Sequence, residues 1–257
     1  MKICTLIENT ASAPDFAAEH GLSLFIETRG NRILFDAGQS GAFMDNAAIL
    51  GVDLSQVDAA VLSHGHYDHS GGLLRFLECN PTAPIYLTEE ALTAHYHGDR
   101  YIGVSPDLFG CPRLRFVREN TTLFPGIALR RDLTLHRPID PCGLTMVENG
   151  IKKAEDFRHE QYLLIEEDGR RILFSGCSHR GIENITAHFR PDILIGGFHF
   201  SKVSTDDPRL IAAAETLRSI GCVCYTGQCT GQAQFDVMKQ ILGNQLHYLR
   251  SGSVLKI

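Results

Sequence analysis

Apolar and polar positions alternate in short blocks along this chain, and two of the blocks echo each other. Residues 20–35 read HGLSLFIETRGNRILF, and residues 159–174 read HEQYLLIEEDGRRILF. At one constant offset, His20, Leu24, Ile26, Glu27, Gly30, Arg32, Ile33, Leu34 and Phe35 match His159, Leu163, Ile165, Glu166, Gly169, Arg171, Ile172, Leu173 and Phe174. Each block is an apolar strand, a polar turn with glycine and a second apolar strand, which predicts a hairpin. Each hairpin runs into small residues, DAG at 36–38 and SGCSH at 175–179. The echo continues in GVDLSQVDAAVLSHGH and ITAHFRPDILIGGFHF, where an apolar strand enters a histidine-bearing loop. The pattern predicts a single domain over 1–257 with pseudo-duplicated halves, roughly 1–125 and 126–257. Hairpins built from common residues also look alike, and that is the competing explanation.

Helical periodicity is expected near 41–50, 71–79, 88–97, 181–189, 207–219 and 231–242, the last with Ala233, Val237, Ile241 and Leu242 on one face. Strands are expected near 2–8, 21–27, 32–36, 58–63, 84–87, 162–166, 171–175, 192–196, 222–226 and 247–256. Strand-rich units with interspersed helices imply an α/β fold of two packed sheets flanked by helices.

Composition narrows the class. With 257 residues and 44% hydrophobic residues the chain can bury a sizeable core. A net charge of -6 argues against nucleic acid as a partner. No signal-peptide pattern opens the sequence and no run is long enough to span a membrane, so a cytoplasmic protein without a membrane partner is expected. Eight cysteines in that setting read as reduced thiols, and the lack of a Cys-x-x-Cys pair argues against a zinc ribbon.

The densest chemistry is AAVLSHGHYDHSGG at 59–72. An apolar strand ends in His64, His66, Asp68 and His69, and paired glycines follow. Alternate side chains of an extended segment share a face, so His64 and His66 can grip one ion together. Asp68 and His69 follow where the chain turns and aim at a second point. Imidazole and carboxylate suit zinc, with iron or manganese as alternatives. Two ions roughly 3.5–4 Å apart would hold a hydroxide at neutral pH.

HGHYDH resembles the H-x-H-x-D-H signature of the metallo-β-lactamase superfamily, and RILFDAG resembles the segment before it. The resemblance implies an αββα sandwich of two mixed sheets flanked by helices, a metal-dependent hydrolase, and Asp36 as a support beside the site. LIENT, SHGHYDHSGGL, FRHEQYLL, GCSHRGIENI, GGFHF and CTG are similar to a narrower branch. That branch is described as resembling 7,8-dihydropterin-6-yl-methyl-4-(β-D-ribofuranosyl)aminobenzene 5'-phosphate synthase, which implies a pterin or phosphoribosyl substrate.

The superfamily usually adds a third histidine for the first ion, a bridging aspartate and a final histidine for the second. Cys177 stands where the bridging aspartate normally ends a strand; it reads as a thiolate ligand or as a small apolar residue. His179 reads as a ligand, or else as a helix cap. His159 reads as the third histidine, or as a strand-edge residue bonded to Glu160 or solvent. His199 is expected to line the pocket, binding substrate or acting as a general acid. Gln228 departs from the pattern, which has histidine there; an amide oxygen is a poorer zinc ligand than imidazole. Histidines 20, 95, 97, 136, 188 and 247 read as surface or edge residues.

Residues 91–140 hold seven arginines against five acids, a local reversal of charge. They read as a lid over an anionic small molecule, or as a solvated face. The sequence thus points to a metal-dependent hydrolase of a small anionic ester, phosphodiester or pterin-like compound. A ligand-binding or sensor protein with weakened turnover, favoured by Gln228, is the alternative, and a redox role with bound iron is a third.

Overall fold

The computed structural model describes residues 1–257, which form two compact units. The first contains 1–118, 141–161 and 250–257; the second contains 119–140 and 162–249.

The first unit is built on a seven-stranded mixed sheet. Its strands lie in the order Val254–Lys256, Lys2–Ile7, Ser23–Thr28, Asn31–Phe35, Ala59–Val61, Ile85–Leu87 and Leu114–Phe116. The first hairpin is antiparallel, with Leu24 opposite Phe35 and Thr28 opposite Asn31. Its two-residue turn, Arg29-Gly30, takes positive φ at both positions, as a tight hairpin turn requires. From Asn31–Phe35 outward the pairing is parallel. Parallel strands must be covered on both faces, which is why Ala59–Val61 is apolar throughout and buried throughout. Helices Ala42–Ile49 and Leu73–Cys79 supply Phe43, Leu73 and Phe76 to a core shared with Leu34, Ala60 and Leu62.

A smaller four-stranded sheet in the same unit joins Ile151–Ala154, Leu144–Glu148, Ala94–His97 and Arg100–Tyr101. It corrects the helix expected at 88–97. The Thr88 hydroxyl accepts the Ala91 N–H and caps one short turn, Glu89–Leu92. Thr93 is then extended, and Ala94–His97 pairs with Leu144–Glu148, placing His95 opposite Met146. A β-branched residue followed by rings favours a strand once a partner is present, and the partner lies far away in sequence.

The second unit repeats the scheme. Its seven strands lie in the order Leu246–Tyr248, Val223–Thr226, Ile193–Ile195, Arg170–Phe174, Tyr162–Glu167, Ile127–Arg130 and Thr121–Phe124. Here too an antiparallel hairpin, Tyr162–Glu167 with Arg170–Phe174, is followed by parallel neighbours. The two hairpins are the two blocks that echo in the sequence. Helices Ile182–Phe189, Pro208–Ile220 and Gln232–Leu242 bring Ile185, Phe189, Leu210, Leu217 and Met238 into its core. The last helix buries Phe235, Met238 and Leu242; of the expected face, Val237 and Ile241 pack against the core partly buried, and Ala233 is exposed, because the larger apolar chains set the rotation. The single strand expected at 247–256 is two, Leu246–Tyr248 in one unit and Val254–Lys256 in the other. No helix is long and apolar enough to cross a membrane.

Candidate metal centre

The histidine turn is held by a buried carboxylate. Asp36 follows strand Asn31–Phe35 at positive φ, and its N–H donates to the Val61 carbonyl of the parallel neighbour. Its Oδ1 accepts the Ser63 N–H at 2.7 Å, and its Oδ2 accepts the Ser63 hydroxyl at 2.7 Å. The same Oδ2 lies 2.7 Å from His69 Nδ1, with both side chains wholly buried. The carboxylate accepts there, so His69 carries a proton on Nδ1 and presents Nε2 as its lone-pair nitrogen. Ser63 spends its hydroxyl proton on Asp36, so its oxygen accepts from His64 Nδ1 at 2.8 Å. His64 therefore has the same tautomer. A carboxylate or hydroxyl behind Nδ1 is the arrangement that fixes a histidine for metal at Nε2, and these residues fit a zinc-like ion.

His66 is the extended residue before a short helical turn, Tyr67–Ser70, which carries Asp68 and His69. The rings of His64 and His66 are 4.7 Å apart, and those of His64 and His69 are 4.2 Å apart. The glycines of the motif are there for close approach. A Cβ on Gly65 would lie 2.2 Å from the Ala91 carbonyl, and one on Gly72 would lie 2.1 Å from that of Ala37. Asp68 Oδ2 sits 3.6 Å from His69 Nε2 and 3.3 Å from Nε2 of the half-exposed His20. Burial pushes the Asp68 carboxyl up, but His69, His20 and His66 outweigh it and hold it well below the usual carboxylate range.

His159 lies against this turn, where its Nδ1 accepts the Gly65 N–H at 2.8 Å and its carbonyl accepts the Thr88 hydroxyl at 2.9 Å. Its ring is 5.2 Å from that of His66 and only 1% of the residue is exposed, so it is no solvated strand-edge histidine. Burial first, then the neighbouring His95, His66 and Arg158, push its pKa well below the ordinary histidine value. His95 corrects the surface assignment outright. It is fully buried, and its Nδ1 lies 2.6 Å from Oε2 of the buried Glu155. One ligand atom from each of His66, His95, Glu155 and His159 falls within 4.8 Å of the others. Neither His95 nor Glu155 is in the signature. The alternation in Ala94–His97 was the available signal, and it is masked by the helix-like run before it.

The other predicted residues belong to the second unit. Cys177 is buried, and its thiol donates to Gln228 Oε1 at 3.2 Å. Gln228 is buried at positive φ, and the Cys229 thiol donates to the Cys177 carbonyl at 3.6 Å. His179 is buried, with its ring 4.2 Å from that of His199, which is half-buried at positive φ. His179 does not cap a helix: Ile182–Phe189 begins at Gly181 with no side-chain cap. All eight cysteines are free thiols.

In the arginine-rich stretch one arginine is anchored, and others form ion pairs at the surface. Arg113 donates to the carbonyls of Leu77, Asn80 and Ala83, closing the end of helix Leu73–Cys79. Arg118 pairs with Glu89, Arg130 with Asp132 and Arg137 with Glu183. Arg100 lies over the Tyr67 ring, 4.7 Å from its centroid, beside the histidine turn.

Known proteins share this fold. The model of the metallo-beta-lactamase superfamily matches residues 18–214. A 7,8-dihydropterin-6-methyl-4-(beta-D-ribofuranosyl)-aminobenzene-5'-phosphate synthase of Methanocaldococcus jannaschii is 28% identical, with 100% of this chain and 96% of that protein covered. An uncharacterized protein of the same organism is also 28% identical, with 98% of both chains covered. Among solved structures, Tm1679, a metal-dependent hydrolase of the beta-lactamase superfamily, superposes with a TM-score of 0.88 at 29% identity, covering 100% of this chain and 99% of that one. The fold protein YhfI from Bacillus subtilis gives 0.64 at 15% identity over 99% and 98% of the two chains, a likeness of fold alone.

Proposed function

Because the chain belongs to the metallo-β-lactamase superfamily, we propose that it is a metal-dependent hydrolase of a small anionic ester, phosphodiester or pterin-like compound. The observation that carries this reading is the buried Asp36–Ser63 brace, which sets His64 and His69 in the tautomer that a metal ligand needs. His64 and His66 hold one zinc-like ion; in the second unit, His179 is a metal ligand. Asp68 and His69 hold a second. Such ions supply Lewis acidity and lower the pKa of a water. The Asp68 carboxylate, 3.6 Å from His69 Nε2, would accept a hydrogen bond from an attacking water and orient it. His199, beside His179 and half-exposed, gives a proton to the leaving group. Arg100 is the cation best placed to meet an anionic group near Tyr67. The pterin and ribose phosphate in the name of the M. jannaschii relative make phosphorylated pterins the first compounds to try.

Elemental analysis of protein purified without added metal tests the centre. His66→Ala and His179→Ala are each expected to lose most of the metal while the fold persists, since the large core does not depend on an ion. Unchanged metal content in both variants sinks the assignment. A second reading, a binding or sensor protein with weakened turnover, is favoured by Gln228, whose amide oxygen is engaged by Cys177. Metal content near one per chain, with no turnover on phosphodiesters or phosphorylated pterins, would select it.

A further inference from the structure

The two blocks that echo in the sequence each begin with a histidine, His20 and His159, and both histidines meet the histidine turn. The contacts repeat as well. His159 Nδ1 accepts the Gly65 N–H at 2.8 Å, and two residues on, the Gln161 N–H donates to the Ser63 carbonyl at 2.8 Å. In the first block His20 Nε2 lies 3.3 Å from Asp68 Oδ2, and two residues on, the Leu22 N–H donates to the Asp68 carbonyl at 3.3 Å. One block thus holds the turn at Ser63 and Gly65, and the other holds it at Asp68. All of these residues belong to the first unit. His159 is buried, whereas the His20 side chain is half exposed, so the sequence alone makes His20 look like a surface residue.

The backbone around His20 is pinned on both sides. Before it, the Glu19 N–H donates to the Glu8 carbonyl at 3.2 Å, and the Glu19 carboxylate accepts the N–H groups of Gln39 and Ser40. After it, Gly21 runs at positive φ, so close to the turn that a Cβ there would lie 2.4 Å from the Asp68 carbonyl oxygen. Only side-chain torsions are left to fix when the His20 ring meets Asp68. An ionised carboxylate accepts and does not donate, so His20 Nε2 carries the proton of this contact. Asp68 Oδ2 also lies 3.6 Å from His69 Nε2, the lone-pair nitrogen of a ring whose other nitrogen is held by Asp36. His20 therefore stands to Asp68 as Asp36 stands to His69. In each pair a fixed partner sets the direction in which a ligand atom points.

We propose that His20 is a positioning residue, whose Nε2–H bonds Asp68 Oδ2 and fixes that carboxylate beside His69. The use of the fixed carboxylate rests on the metal reading above, so the test has one arm without metal. In the metal-free full-length chain, three-bond couplings report the χ1 rotamer of Asp68. One rotamer is expected in the natural protein and averaging over rotamers in His20→Ala. His20→Gln should restore the single rotamer, because its amide nitrogen lies as many bonds from the backbone as Nε2 does. Zinc titration of the same proteins is the second arm, with Asp68→Asn marking which site belongs to Asp68. His20→Ala is expected to weaken that site by about tenfold or more and to leave the site at His64 and His66 unchanged, with most of the loss recovered in His20→Gln. The melting midpoint of metal-free His20→Ala should stay at the natural value, since half of the side chain is already in water. A single Asp68 rotamer and unchanged zinc affinity in His20→Ala overturn the proposal. A His20→Gln protein as impaired as His20→Ala overturns it too. So does a lowered midpoint with both sites weakened alike, which would make His20 a support of the fold. A natural chain that binds no zinc, but loses the Asp68 rotamer in His20→Ala, overturns the metal reading and leaves the bracing of Asp68 standing.

Discussion

Ser63 decides where the protons of the histidine turn sit. Its one hydroxyl proton goes to Asp36, which turns His64 into a donor at Nδ1 and leaves Nε2 for metal. Gln228 is the residue at which ligand chemistry is weakest. We expect Gln228→His to raise zinc from below two per chain toward two and to speed hydrolysis of a generic phosphodiester. Imidazole is the better donor, and histidine is among the residues that accept the positive φ found at this position. The cost is the bond from the Cys177 thiol. Calorimetric titration of both proteins is the check; two equally tight sites in each would mean that the place is already filled. The signature residues were legible in the sequence because their spacing alone is rare. His95 and Glu155 were not, since a lone histidine and a lone glutamate acquire meaning only when a strand pairing brings them together.

Among the elements, the histidine turn is the tightest. It is wedged between the Thr88-capped turn on one side and the Ala37–Ser40 loop on the other. Gly65→Ala is expected to destabilise the fold by roughly 2–4 kcal/mol, because the new methyl meets backbone and not a yielding side chain. It should also push Gly65 N–H off His159 and weaken metal binding along with stability. Thermal melts with and without zinc test this, and an unchanged midpoint would show that the turn has slack. The two hairpins and the parallel strands beside them were readable from alternation and apolar runs. The strands between 114 and 154 were not. Several pair with segments distant in the chain, and their edges are polar, so no local pattern announces them.

At the scale of the molecule, the first unit draws on both ends of the sequence. Lys2–Ile7 pairs with Val254–Lys256, and the buried Ser251 hydroxyl oxygen accepts the Glu8 N–H at 2.8 Å. Removing residues 250–257 strips an edge strand and leaves that N–H buried without a partner. We expect a loss of about 3 kcal/mol or more, which lowers the melting midpoint by roughly 6–12 °C. A truncated chain melting at the natural midpoint would contradict this. The same return of the chain gives assembly a direction. The ribosome makes Lys2–Ile7 about 250 residues before its partner, an interval of roughly ten to fifty seconds at common elongation rates. For the part of that interval up to residue 159 the histidine turn waits for Glu155 and His159, and through all of it the first sheet waits for its closing strand. The second unit, contained within 119–249, meets no such delay. A nascent chain ending at residue 249 and held on the ribosome by a linker long enough to clear the exit tunnel should therefore protect the second unit from protease while leaving the first open, so the half that carries the metal-binding signature would be the later of the two to mature.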